Sequence, residues 1–265
     1  MAISADNELS SLFLWPLRTL FVGRIGRLSS LSPGAHAVLV GLDGDMDLIV
    51  GDHQFCARSF LVPAGLRFTG DAHGGRIACC FLDPLGRDFL FHQPLMKHCE
   101  EGVYFHSRRQ AEQVAALESV YSQGGDATQA YQLLLDLLFP SISEKFNDFK
   151  VDERIVKIIE VIRTDPSENI SNDELGAVVG LSGARLQRLF KEATGIPIRR
   201  YRLWHRLFVT SSMMAMGSTL TDAALAAGFS DSSHLNHVFK DMLGMKPSSV
   251  LRQTRQMKIF MGSDS

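Results

Sequence analysis

The sequence predicts a two-domain α+β protein, in which a sheet-rich N-terminal half precedes an all-helical C-terminal half. Its 265 residues suffice for about two domains at a typical ~150 residues each. The hydrophobic pattern changes from short β-like runs before residue 82 to helical periodicity after residue 86. A six-residue pattern in the C-terminal half occurs twice, which indicates a duplicated unit. We place the domains at residues 1–147 and 151–256.

Four short runs rich in apolar, β-branched and aromatic residues predict strands in the N-terminal half. They cover residues 37–42, 46–50, 55–62 and 76–82. Asp43-Gly44, between the first two runs, is a strong hairpin signal, and Pro63-Ala64-Gly65 predicts a further turn. Together these elements predict a small antiparallel sheet or barrel.

Two helices are predicted after the strands, at residues 108–121 and 127–139, separated by Gly124-Gly125. Two such helices would either be buried against the sheet or pair with a second copy of the chain. We choose them as the contact of an expected homodimer. Residues 140–150 are the predicted linker between the domains.

Every element after residue 151 is predicted to be a helix. One buried stripe consists of Ile155, Ile158, Ile159 and Ile162. Ser171 and Glu174 have the spacing of a capping box, so a helix begins there, and Gly180 ends it. Its expected buried face is Leu175, Val178 and Val179. Ser182 begins the next helix, whose expected core positions are Leu186, Leu189 and Phe190. Helix, glycine turn and helix form the helix-turn-helix pattern.

A second unit of the same kind follows a long helix predicted at residues 198–216. Four arginines on that helix remain for solvent or phosphate, namely Arg199, Arg200, Arg202 and Arg206. Thr221 begins a short helix in which Ala224 and Leu225 are expected to be buried. Gly228-Phe229-Ser230 is the expected turn, and residues 231–243 form the second candidate recognition helix.

The repeat itself is the sharpest signal in the chain. Residues 186–191 and 235–240 share the pattern L-x-x-x-F-K at an offset of 49 residues, and each copy is followed by a glycine and a proline. Two such units on one rigid helix can place both recognition helices in successive major-groove segments roughly 34 Å apart. The alternative is a helical bundle with accidental similarity.

Charge is unevenly distributed over a chain with a formal net charge of −2. Residues 1–150 hold 12 Lys and Arg against 17 Asp and Glu, whereas residues 151–265 hold 15 against 12. Residues 182–206 contain seven basic side chains and a single acid. Such a local excess can neutralise phosphates, although most charge runs are solvated helix faces.

Composition excludes several other classes of protein. A hydrophobic fraction of 45% and a charged fraction of 21% are typical of a globular chain. No apolar run reaches the ~18 residues that a membrane span needs, and the N-terminus lacks the basic region of a signal peptide. Four cysteines without a C-x-x-C motif favour a reducing cytoplasm and no disulfide framework.

Residues 170–252 closely resemble the AraC/XylS family of transcriptional regulators. The matching residues are Leu175, Gly180-Leu181-Ser182, 186–191, Thr194-Gly195, Ala224, Gly228-Phe229, Ser233-His234-Leu235, Phe239-Lys240, Gly244 and Pro247-Ser248. The resemblance implies a seven-helix domain that binds specific DNA sequences and regulates genes, by activation or repression. Two positions depart from the family pattern: His237 replaces a common arginine and Val250 a common aromatic residue. His237 puts the strength and pH dependence of the second site in question.

The exposed faces of the two recognition helices supply the expected contacts with double-stranded DNA. On the first helix these are Ala184, Arg185, Gln187 and Arg188, and the resemblance makes Ala184, Gln187 and Arg188 base-reading positions. On the second they are Ser232, Ser233, Asn236 and His237. Lys191, Arg199 and Lys240 complete the set. Arginine can bridge guanine O6 and N7, glutamine can pair with adenine, and alanine can meet a thymine methyl group. We expect the first helix to provide most of the direct specificity.

The N-terminal half resembles the cupin-like sensor domains that are common in this family. Pro63-Ala64-Gly65 matches the P-x-G turn of a cupin. Phe68 occupies the place of a metal-binding histidine, and His36 is not part of an H-x-H pair, so we expect no metal enzyme and no cofactor. Phe68 would instead line an apolar pocket. We expect the half to bind a small-molecule effector and to dimerise, and the alternative is a ligand-independent dimerisation scaffold. A contact with RNA polymerase is a further expected partner interaction.

Two other chemical interpretations stay open at this point. His92, His98, Cys99 and His106 form a loose cluster of zinc-type side chains whose spacing matches no tight motif. Cys79-Cys80 lies in an apolar strand, where such cysteines usually pack inertly and point to opposite faces. The rival function is a cysteine-reactive enzyme fused to the DNA-binding domain, which would need an activated thiolate.

Overall fold

Two β-sheets make up the N-terminal half in the computed structural model, which describes residues 10–82, 84–123, 126–141, 151–247 and 257–262. The larger sheet contains, in spatial order, β10 (Met96–Glu100), β11 (Val103–Ser107), β7 (Ser59–Val62), β4 (His36–Gly41), β9 (Arg76–Leu82), β2 (Arg18–Arg24), β1 (Ser10–Trp15) and β12 (Met257–Met261). The smaller sheet contains β3 (Leu28–Leu31), β8 (Phe68–Asp71), β5 (Met46–Val50) and β6 (His53–Ala57).

Both faces of the larger sheet are apolar, because successive side chains of a strand point to opposite sides. In β4, Val38 and Val40 belong to one core and Ala37 and Leu39 to another. A short helix, α1 (Arg87–His92), connects β9 to β10. The first face is covered by α2 (Gln110–Gln123) and α3 (Ala127–Leu134), and the smaller sheet packs on part of the second. The predicted small antiparallel sheet is therefore a two-sheet structure with helices on its outer side.

The strands lie near their predicted places, but the predicted hairpin at Asp43-Gly44 is wrong. β4 belongs to the larger sheet and β5 to the smaller one, so this turn carries the chain between sheets. The run 55–62 is likewise divided at Arg58, where the chain crosses back. The Arg58 guanidinium donates to the carbonyls of Gly41 and Leu42 and so joins the two crossovers.

The two helices of the N-terminal half also differ from prediction at their ends. The helix expected at 127–139 stops at Leu134, because the chain turns at Asp136 and returns Leu138 and Phe139 to the core. Phe139 stacks on Tyr131, with ring centroids 5.1 Å apart. The predicted break at Gly124-Gly125 and residues 142–150 of the predicted linker lie outside the described residues.

Six helices lie in the described residues of the C-terminal half. They are α4 (Glu153–Thr164), α5 (Asn172–Val178), α6 (Gly183–Thr194), α7 (Ile198–Ala215), α8 (Leu220–Ala226) and α9 (Ser232–Leu243). The isoleucine stripe of α4 is buried as predicted. The capping box is present, with the Glu174 N–H donating to Ser171 Oγ and the Ser171 N–H donating to Glu174 Oε2.

Three details of these helices correct the sequence interpretation. Thr219, and not Thr221, caps α8. Leu225 and Val178 are exposed, because the short helices bury smaller residues at their contacts: Ala223 and Ala224 in α8, and Gly176 in α5. A Cβ on Gly176 would lie 2.3 Å from the Leu181 carbonyl oxygen, so this contact admits only glycine.

The expectation that only helices follow residue 151 is wrong. Residues 257–261 form β12, which pairs in parallel with β1 in the register Ser10↔Met257. Phe260 stacks on Phe13 with ring centroids 4.9 Å apart. The chain therefore returns to the sheet of the N-terminal half after the helices.

Asp241 in α9 is the centre of a polar contact between the two halves. Its carboxylate accepts from Arg67 (2.7 Å) and Arg200 (2.8 Å), and Arg200 also donates to the Ser32 carbonyl. The Ser32 N–H donates to the Asp241 carbonyl at 2.9 Å. Burial alone raises the pKa of Asp241, but the hydrogen bond from Arg67 and the charge of Arg200 outweigh it and lower the pKa below its ordinary value.

Asp241→Asn is expected to loosen this contact, because it removes the charge that both guanidinium groups share. The contact between the N-terminal and C-terminal halves should be weakened by roughly 1 kcal/mol, as is typical of partly exposed ion pairs. Hydrogen exchange at the Ser32 amide should accelerate, whereas it should not after Asp45→Asn at an exposed turn. Because the pKa of Asp241 is lowered, the ionised carboxylate stabilises the contact above pH ~4. The difference in stability between the wild-type chain and Asp241→Asn should therefore disappear as the pH falls through the lowered pKa. Equal exchange in both variants at pH 7 would contradict the assignment.

Candidate nucleic-acid interface

The first helix-turn-helix unit consists of α5 and α6. Ser182 caps α6 by accepting from the Arg185 N–H, and Gly195 ends it in the left-handed conformation with φ 75°. Leu186 and Phe190 are buried and Leu189 is half-buried, as expected of the core positions. One side of α6 is thus anchored, and the opposite side faces solvent.

All the predicted base-reading residues of α6 lie on that solvent side. Ala184, Arg185, Gln187 and Arg188 are exposed, and so is Lys191. Among the described residues, no side-chain hydrogen bond or ion pair is made by Gln187 or Arg188. Residues 184, 187 and 188 are spaced i, i+3 and i+4, so they share one face of the helix. The structure therefore brings together on one exposed face the residues that sequence reasoning selected.

The second unit, α8 and α9, repeats this arrangement. Asp231 caps α9 by accepting from the His234 N–H, and Gly244 ends it with φ 72°. The buried side is Leu235, Val238, Phe239 and Met242. The predicted contact residues Ser232, Ser233, Asn236, His237 and Lys240 are all exposed.

The four arginines of α7 divide into two kinds, which corrects the expectation that all remain for solvent or phosphate. Arg206 is 6% exposed and donates to the Pro166 carbonyl and Asn169 Oδ1. Arg200 binds Asp241 as described above. Arg199 and Arg202 have no such partner among the described residues, and they line an open groove between the two units.

An apolar cavity of about 90 Å³ lies where the C-terminal half covers the larger sheet. Its walls come from β1, β2 and β9 on one side and from α7, α9 and Met245 on the other. Lining residues include Leu12, Phe21, Phe81, Phe208, Ser211 and Leu243. Sequence reasoning missed this cavity, because no local pattern tells that α7 packs on β1. Phe68 lines a separate gap of about 20 Å³ between the sheets.

A more polar cleft adjoins the apolar cavity and shares Thr19, Phe81, Trp204 and Phe208 with it. His205 lies in this cleft, and its buried Nε2 has no hydrogen-bond partner among the residues that the structure describes. Burial and the charge of Arg163 lower the pKa of His205 to about 4, so the imidazole is neutral at pH 7. An uncharged ring nitrogen is therefore available to a polar group that enters the cleft.

The loose His and Cys cluster is not brought together as one site. His92 is buried and its Nε2 lies 2.9 Å from the Leu138 carbonyl, whereas His98 and His106 lie on β10 and β11. In the described part of the chain no group of three or more His, Cys, Asp or Glu residues could hold a metal ion. His36 contacts the Ala64 N–H and the Pro84 carbonyl through its two ring nitrogens.

Cys79 and Cys80 are buried on opposite faces of β9, as the strand geometry predicts. Burial raises the pKa of the Cys79 thiol to about 12 and that of Cys80 well above its ordinary value. A nucleophilic cysteine needs the opposite shift, toward a thiolate at neutral pH. Neither thiol is suited to the rival enzyme function.

The comparisons with known proteins agree with this geometry. The helix-turn-helix domain family matches residues 175–253. The chain is 30% identical over 131 residues to the HTH-type transcriptional regulator YidL of Escherichia coli, covering 48% of this chain and 44% of YidL. It is 26% identical over 120 residues to the HTH-type transcriptional regulator RipA of Corynebacterium glutamicum, covering 43% of this chain and 36% of RipA. The matches span less than half the length of these relatives.

Solved structures of ToxT from Vibrio cholerae share the overall fold. One has a TM-score of 0.58 at 14% identity and covers 89% of this chain and 97% of ToxT. A structure of ToxT bound to an unsaturated fatty acid has a TM-score of 0.55 at 14% identity, covering 92% and 98%.

The C-terminal part of the chain is a DNA-binding domain of the helix-turn-helix class. It is of the AraC type, and the predicted resemblance to AraC/XylS regulators is confirmed. The predicted fold class, a cupin-like sheet domain followed by a helical domain, is confirmed as well. None of the described helices is long and apolar enough to cross a membrane.

The turn of the second unit provides a stability test. Gly228 has φ 90°, and a Cβ there would lie 2.6 Å from Ser167 Cα, next to the carbonyl that Arg206 binds. Gly217 has a similar φ of 97° with nothing within 4 Å. Gly228→Ala should lower the free energy of unfolding by about 1–3 kcal/mol more than Gly217→Ala, because both strain the backbone but only the first also clashes. Urea unfolding followed by circular dichroism measures the difference, and equal losses would contradict it.

Proposed function

We propose that the whole protein is a sequence-specific transcriptional regulator whose DNA binding is controlled by a small apolar effector. The observation that carries the DNA-binding part is the pair of capped helices, α6 and α9. Each has one side in a hydrophobic core and the other side lined by exposed polar residues. Residues 1–147 would form the sensor and dimerisation domain, and residues 151–256 the DNA-binding domain.

The first recognition helix provides the greater part of base reading in this proposal. Arg188 and Gln187 offer the two side-chain types that pair bidentately with guanine and adenine, and Ala184 can meet a thymine methyl group. On α9 the matching face consists of the shorter Ser232, Ser233 and Asn236, with His237. Lys191, Arg199 and Lys240 would contact phosphates, which position the protein without reading sequence.

Arg188→Ala is expected to weaken binding by roughly 1–3 kcal/mol and to relax one base preference. The measurement is selection from a random duplex library by the full chain, followed by titration of the best site. Lys191→Ala is the matched control on the same helix, and it should weaken all sequences alike while leaving the motif unchanged. An unchanged motif in Arg188→Ala would rule out its base-reading role.

The effector site that we propose is the apolar cavity between the halves. Its walls belong to both domains, so a ligand larger than about 90 Å³ must move α7 and α9 relative to β1 and β2. Because α9 carries the second reading face at its other end, such a movement changes how the two units are placed on DNA. A ligand can shift this equilibrium only through different affinities for the two arrangements, which a cavity shared by both domains provides.

The proposed class of effector is an apolar molecule with one polar end. The apolar part would fill the cavity, and the polar end would reach His205 Nε2 in the adjoining cleft. ToxT, which shares the fold, has been solved with an unsaturated fatty acid, and such a molecule has the required character. A hydroxyl or a protonated carboxyl group could donate to the neutral imidazole.

Ser211→Phe tests the cavity by filling it from the α7 side. An unsaturated fatty acid at about 100 times its Kd should raise the Tm of the wild-type chain by about 5–10 °C. The shift should be lost in Ser211→Phe and kept in Ser119→Phe. Both serines are half-buried on helices and donate to the carbonyl four residues earlier, but Ser119 lies on α2, away from the cavity. Equal shifts in all three proteins would place the ligand elsewhere.

A homodimer and a contact with RNA polymerase complete the proposal. The N-terminal half would dimerise through the outer sides of α2 and α3, whose inner sides cover the sheet. A dimer would present four recognition helices, so the DNA selected by the full chain should contain two copies of one motif. Sedimentation of the full chain with and without that duplex measures the stoichiometry.

A further inference from the structure

A groove of about 480 Å³ separates the two helix-turn-helix units. It is lined by residues 169–172 at the start of α5, by one face of α7, and by the turn and first residues of α9. Three arginines and one histidine face it, namely Arg199, Arg202, Arg206 and His234. No acidic side chain belongs to this described lining, so the charged groups that line the groove are all basic.

The arginines of the groove are not equivalent. Arg206 is held by the Pro166 carbonyl, the Ser167 carbonyl and Asn169 Oδ1, so its donors serve the fold. Arg202 stands one helical turn earlier and is only partly exposed, yet it makes no hydrogen bond or ion pair with any described residue. The five donors of the Arg202 guanidinium are therefore left to solvent or to a ligand that enters the groove.

Like charges are crowded in this place. Burial lowers the pKa of Arg202, and the only opposing influence is the charge of Glu168. Burial and then the neighbouring charge of Arg202 lower the pKa of Arg206. An anion in the groove would relieve both the burial cost and the repulsion.

The spacing of the unpartnered arginines fits a row of phosphates. Arg199 and Arg202 are three positions apart on α7, which places their Cβ atoms ~5–6 Å apart on one face. One DNA strand presents a phosphate every ~3.4 Å along the helix axis, and successive phosphates are farther apart than this axial rise because the strand winds around the axis. The two long arginine side chains can therefore face neighbouring phosphates. The groove ends at His234 in the first turn of α9, next in the chain to the predicted DNA-contact residue Ser233. A strand that leaves the major groove read by α9 toward α6 would therefore pass along it.

We propose that this groove binds the phosphates of the DNA strand that runs between the two major-groove segments, with Arg199 and Arg202 as donors. The proposal rests on the proposed DNA-binding function and adds a role for Arg202. The contact sets the distance and angle between the two units on the duplex and does not read bases. It distinguishes the two arginines from Arg200 and Arg206, which hold the protein together.

The first test is the salt dependence of binding by the full chain. Arg202→Ala should bind about tenfold more weakly to the selected duplex and to an unrelated duplex alike, and its slope of log K against log salt should be smaller by about 0.9. Arg202→Lys should recover part of the slope because it keeps the charge. Lys97→Ala, on the exposed strand β10, removes the same charge far from the groove and should leave the slope unchanged. A slope equal to the wild-type slope in Arg202→Ala overturns the inference.

The second test locates the contact on the DNA by removing charges from the DNA backbone. Neutral methylphosphonates are placed between the two parts of the selected motif. They should weaken wild-type binding about tenfold, and they should have little further effect on Arg202→Ala, because both changes remove the same interaction. If the methylphosphonates weakened wild-type and Arg202→Ala binding by the same factor, Arg202 would not contact these phosphates. The proposed DNA-binding function would be unaffected by that result. A wild-type chain that selects no duplex would refute the proposed function, and the inference would fall with it.

Discussion

The need to bury both faces of the larger sheet is the constraint on which the structure depends. Helices α2 and α3 cover one face, and the smaller sheet packs into the core on the other face. The apolar surface that β1 and β2 present on this second face includes Leu12, Leu14 and Phe21. Helices α7 and α9 cover it, with Phe208 and Met245 joining the same core. The contact between the domains is therefore part of the hydrophobic core and is stabilised by apolar burial.

This way of completing the core also explains where the proposed effector would act. The apolar cavity lies where α7 and α9 meet β1, β2 and β9. The residues that close it belong to the helix that joins the two DNA-binding units and to the second recognition helix. Asp241 adds a polar contact on the same helix, and β12 attaches the end of the chain to β1. Because residues of α9 line the cavity, a molecule bound in the cavity would affect the position of α9.

Local sequence patterns predicted where helices and strands occur better than they predicted which elements pair or pack together. The capping box of Ser171 and Glu174, the isoleucine stripe and the repeat around residues 186–191 and 235–240 each depend on neighbours within a few positions, and these predictions hold in the structure. The hairpin predicted at Asp43-Gly44 failed because a turn signal does not say whether the next strand pairs with the last or crosses to another sheet. Leu225 and Val178 were misplaced because seven-residue helices touch their partners through small residues, where apolar periodicity is a poor guide.

The sequence by itself determined the class of DNA-binding domain and the residues that face away from its core, because helix periodicity and capping are local properties. Only the tertiary structure decided which arginines of α7 are free. Arg200 and Arg206 find acceptors at Asp241 and Pro166, which lie about forty positions away along the chain. The structure alone also revealed the shared cavity and the return of β12 to β1. These features arise where distant segments meet, and long-range packing leaves no periodic trace in the segments themselves.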